Sequence, residues 1–71
     1  MAGYDPEMGF VQLRPFVGNK YDFDLHSVVE VVNRAPPEHR EDLAYRAART
    51  AGQEIGPGAA RAVKMAFGLG E

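Results

Sequence analysis

The sequence predicts a mainly α-helical chain: a compact three-helix unit over about 24–35, 37–55 and 58–68, preceded by an extended arm or short strand over about 10–17. Three observations carry this. Apolar residues recur at helical spacing in three separate segments. Prolines fall at the boundaries of those segments, and among the glycines Gly52 alone lies well inside one. Ahead of them, Val11 and Leu13 alternate with Gln12 and Arg14, a period of two that belongs to extended chain.

Each element has its own justification. Residues 1–8 hold Gly3, Asp5, Pro6 and Glu7 with little apolar weight, and read as a flexible leader to a single domain over 9–71. In the arm, Pro15 cannot donate to a strand ladder, so any strand ends near Arg14 or lies at an edge. Gly18-Asn19 signals a turn. Asp24 can cap the first helix by accepting free amide protons of its first turn, and Ser27 with Glu30 offers a second capping box. Leu25, Val28, Val29 and Val32 then form one apolar face, although the valine run from 28 to 32 also has strand propensity. Pro36-Pro37 ends this helix and starts the next, with Pro37 at a position where a missing amide proton costs nothing. Leu43, Ala47, Ala51 and Ile55 mark the buried stripe of the second helix, and Asp42 can pair with Arg46 one turn on. Gly56 ends it. In the third helix, Ala59, Ala62, Val63, Ala66 and Phe67 keep helical spacing. Gly68 followed by Leu69 predicts a left-handed stop with Leu69 folding back on the last turn.

Composition narrows the function. Seventy-one residues allow one domain with a small core and little room for an enclosed catalytic pocket. No cysteine is present, which removes disulfides and thiolate metal sites and suits a cytoplasmic protein. There is no run of the ~18 apolar residues that a membrane span needs, and no secretory signal pattern at the start. Arginine outnumbers lysine six to two and alanine is abundant, a bias expected of a bacterial or phage chain. The formal net charge is −2, from 8 basic and 10 acidic residues. It is unevenly spread: between Leu43 and Lys64 the cations Arg46, Arg49, Arg61 and Lys64 meet a single acid, Glu54. That half suits a local anionic partner.

No reactive constellation is expected. His26 and His39 are isolated from each other, and Asp22 and Asp24 beside His26 do not complete the four-ligand set of a structural zinc site. Ser27 is the only serine and follows His26 directly, so on a helix the two face apart. Gly52, Gly56 and Gly58 precede a helix but lack the lysine and hydroxyl of a phosphate loop. The sequence therefore predicts no enzyme, no cofactor, no metal and no small-molecule substrate.

The remaining signal is a surplus of apolar and aromatic residues: Phe10, Val11, Leu13, Phe16, Val17, Tyr21 and Phe23 crowd a short segment ahead of three short helices. An exposed remainder would mark a protein contact. The leading expectation is a small accessory or regulatory protein that binds a larger protein or forms a homodimer, through Phe10, Leu13, Phe16, Tyr21 and the helix face carrying Arg46 and Arg49.

The second expectation is DNA binding. The segments 37–55 and 58–68, joined at Gly56, resemble a helix-turn-helix. Ile55, Ala62 and Met65 fall where that motif wants apolar residues, and Gly52 where alanine is usual. The resemblance implies base contacts from Arg61 and Lys64, with Arg46 and Arg49 on phosphates. Pro57 departs from the pattern, and the second of these helices lacks asparagine, glutamine and serine for reading base edges. A ribbon-helix-helix reading would pair Val11–Arg14 with its copy and present Gln12 and Arg14. Met8-Gly9-Phe10 resembles the short loop of ubiquitin-associated domains. In that family the loop follows a first helix, and the likeness here is confined to three residues.

Overall fold

The computed structural model describes residues 3–69. It is mainly α, with four helices in order: α1 (Pro6–Val17), α2 (Leu25–Arg34), α3 (Pro37–Glu54) and α4 (Pro57–Ala66). The Cα radius of gyration is 11.3 Å, close to the ~11 Å of a well-packed chain this long. No helix among the described residues is long and apolar enough to cross a membrane.

The three expected helices form within a residue or two of their predicted bounds. Asp24 caps α2, its carboxylate accepting from the Ser27 amide at 3.3 Å and the Ser27 hydroxyl at 2.9 Å. Pro37 opens α3. Gly56 joins α3 to α4 with φ of 153°, a backbone region that side chains disfavour. Gly68 takes φ of 67°, and the Leu69 amide donates back to the Lys64 carbonyl at 2.9 Å, the expected stop.

The extended arm does not form: residues 10–17 belong to α1. The helix-start signal lies just upstream, in Asp5-Pro6-Glu7. Asp5 accepts from the Glu7 amide at 3.0 Å, and Pro6 occupies the first turn, where its missing amide proton costs nothing. The alternation of Val11 and Leu13 is one cut through a longer helical pattern, in which Gly9, Leu13 and Val17 share the buried face. Pro15 sits near the carboxyl end and removes one hydrogen bond there, without ending the helix before Val17. Of the expected leader, residues 6–8 are the first turn of α1, and Tyr4 packs on the core with its ring 5.2 Å from that of His39. Met1 and Ala2 lie outside the described residues. The helix also removes the strand on which a ribbon-helix-helix depends, and places Met8-Gly9-Phe10 within a helix rather than a loop.

The core is aliphatic. Leu13, Val17, Val28, Val32, Leu43 and Val63 are its largest fully enclosed side chains, each contributing about 1.5–3 kcal/mol by leaving water. Ala44, Ala47, Ala48 and Ala51 are also buried, so α3 offers neighbours a smooth surface on which helices pack closely. Helix α3 contacts all three others, whereas α1 and α4 do not touch. Phe10, Phe16, Phe23 and Phe67 lie partly buried around the rim. The apolar surplus at the amino end is thus largely absorbed by a fourth helix.

The corner between α2 and α3 has a device that the sequence reading missed. Helix ends leave carbonyls without partners, and Pro36 and Pro37 have no amide proton to offer. Arg40 reaches back instead, its Nε donating to the Ala35 carbonyl at 2.8 Å and its Nη2 to the Asn33 carbonyl at 3.2 Å.

Candidate functional site

The predicted docking residues separate. Leu13 is fully buried in the core and unavailable to a partner. Phe10 and Phe16 are half-buried against the core. Tyr21 is 85% exposed in the loop between α1 and α2, beside Lys20, whose ammonium lies 5.4 Å from its ring. No continuous aromatic arm results.

The basic residues behave differently. An open groove of about 540 Å³ runs between α3 and α4. Helix α3 lines it with Asp42, Tyr45, Arg46, Arg49 and Gln53, and α4 with Lys64. Ala48, Gly52 and Ala60 complete the lining. At Gly52 the two helices come close: a β-carbon there would stand 3.2 Å from that of Ala60, tighter than an ordinary contact. Three of the four predicted cations therefore share one groove, and Arg61 stands exposed elsewhere on α4.

Arg46 is held in place. Its Nη1 donates to Glu7 Oε2 at 3.0 Å, and its guanidinium carbon lies 4.2 Å from the centre of the Phe10 ring. The expected pair with Asp42 is not among the ion pairs of the described residues; Arg46 turns to α1 instead. Sequence spacing could not show this, because Glu7 lies 39 positions away. Arg49 and Lys64 make no ion pair with any described residue. The groove thus presents one anchored and two unengaged cations, a tyrosine and one carboxylate, which suits an anionic or amphipathic ligand.

Helix α4 fits the helix-turn-helix resemblance poorly. Met65, which that motif would turn inward, is 68% exposed, while Val63 is fully buried. The exposed face of α4 carries Arg61 and Met65 together.

The histidines stay apart. His26 Nε2 lies 3.3 Å from Glu30 Oε2 on the exposed side of α2, and His39 stacks near Tyr4. No cluster of three or more histidine, aspartate or glutamate side chains with metal-binding geometry occurs among the described residues. The Asp24 carboxyl is held below its ordinary 3.8, first by the Ser27 hydroxyl, then by the Ser27 amide, with the His26 amide and charge adding to it.

No family model, curated protein or solved structure matches the chain.

Proposed function

We propose that this chain is a small non-catalytic accessory or regulatory protein of the cytoplasm that docks onto another protein through the α3–α4 face around Tyr45, Arg46 and Arg49. The observation that carries the reading is the groove itself. It gathers three cations and a half-exposed tyrosine, and two of those cations are arginines, which with tyrosine are enriched at protein interfaces. Arg46 is pre-positioned by Glu7 and Phe10, so little conformational freedom is lost when a partner arrives.

DNA binding through the same cations is the second reading, favoured by Arg46, Arg49 and Lys64 lining one groove. Protein docking ranks above it for three reasons. Asp42 would repel a phosphate backbone, the net charge is −2, and α4 turns Met65 outward where a recognition helix would pack it inside.

Purification of a tagged copy from its native cell, with and without nuclease, separates the two. A protein partner should survive nuclease and be lost with Arg49→Glu or Lys64→Glu. Recovery of nucleic acid alone, released by modest salt, would overturn the proposal.

A further inference from the structure

The outward face of α3 carries its charges in an order that complements its own reverse. At 3.6 residues per turn, Glu38, Asp42, Tyr45 and Arg49 form one stripe, opposite the buried Leu43, Ala47 and Ala51. All four are exposed, and the spacing of four, three and four residues is that of a helix-pairing seam. Two acids precede Tyr45 and Arg49 follows it. Arg46 is drawn away to Glu7, and neither Asp42 nor Arg49 forms an ion pair with any described residue.

We propose that this stripe is the contact of a homodimer in which α3 packs antiparallel against α3 of a second copy. A twofold axis passing between Tyr45 and Arg46 sets Asp42 opposite Arg49 of the second copy, and Arg49 opposite Asp42 of the second copy. One patch meets itself, as closed twofold symmetry requires. The same register sets the two Tyr45 rings side by side near the axis. It also carries Glu41 of the second copy toward the α4 edge, where Lys64 lines the groove. A parallel arrangement would instead oppose Asp42 to Asp42 and Arg49 to Arg49, so the charges select direction as well as partner. Exposed ion pairs hold little by themselves, and their work here is to set register. The proposal rests on the reading of this face as a docking surface, and names the occupant.

Sedimentation equilibrium of the full chain over a concentration series tests it, with circular dichroism showing that each variant keeps its helices. The wild-type chain should reach twice the chain mass. Asp42→Arg and Arg49→Asp should each fall to the monomer mass, since each places like charges opposite one another. An equimolar mixture of those two variants should regain the doubled mass as a heterodimer, and the double variant D42R/R49D should regain it alone. A wild-type chain that stays monomeric, or a dimer indifferent to both charge reversals, would overturn the proposal. If the chain alone is monomeric while Arg49→Glu still loses a nuclease-resistant protein partner, the docking face stands and the second copy is the wrong occupant. If the charge-swapped mixture dimerises and no other protein is ever captured, the homodimer stands and the larger partner falls.

Discussion

A leucine and an arginine mark the two ways a side chain can be misread from spacing alone. Leu13 sits between Gln12 and Arg14 and looks like one side of a strand, yet it is fully enclosed where α1 meets the core. Leu13→Ala is therefore expected to cost about 2–5 kcal/mol, as large-to-small changes in a packed interior do. Tyr21→Ala, at an exposed loop position, should stay within about 0.5 kcal/mol. Urea denaturation of the two variants checks the contrast; equal losses would place Leu13 outside the core. Arg46 is legible as a cation on a helix surface, but its engagement is not. Glu7 and Phe10 become its neighbours only once α1 exists, so an error about one element conceals the partner of a residue on another.

Among the elements, the three with start signals beside an apolar repeat were readable, and the fourth was readable in hindsight. α2 has Asp24, and α3 and α4 have prolines at their first turns. α1 has both devices in Asp5-Pro6, but the apolar residues after them, broken by Gln12, Arg14 and Pro15, imitate extended chain. The α2 cap also gives the molecule an acid response. The folded-state pKa of Asp24 lies below the 3.8 it takes when unfolded, so the cap's stabilisation is fully present above that value. It is lost as pH falls through 3.8 toward and past the folded value, where the carboxyl takes up its proton. Asp24→Asn keeps an acceptor for the Ser27 amide without the titrating charge. Its unfolding midpoint should lie below wild type at neutral pH, and the gap should close in acid. A gap that is unchanged or wider in acid would refute the assignment.

For the molecule as a whole, α3 is the shared wall: α1 and α4 each pack on it and never on each other. The mainly helical class followed from apolar repeats in the chain. The groove did not, because it depends on how closely Gly52 lets α4 approach and on which way Arg46 turns. The same architecture divides the charge: the anchored arginine ties α1 to α3, and Arg49 and Lys64 are left to the outside. The nuclease and charge-swap experiments both act at this scale, since they ask what the free side of α3 is for.

Among the described residues no polar or charged side chain is buried and no aromatic ring is fully enclosed. Burial of aliphatic groups is non-directional, so directional contacts at the surface add to what close packing specifies. Arg40 at the α2–α3 corner makes two such contacts, with the Ala35 and Asn33 carbonyls. Arg40→Ala removes the part-buried bond to the Ala35 carbonyl, at a cost of about 0.5–1.5 kcal/mol. More tellingly, that variant should retain its helical far-ultraviolet signal while binding a hydrophobic dye well below its melting temperature, and Arg40→Lys should recover only part of the order. Dye binding at the wild-type level in Arg40→Ala would show that the corner bonds do not tighten the interior.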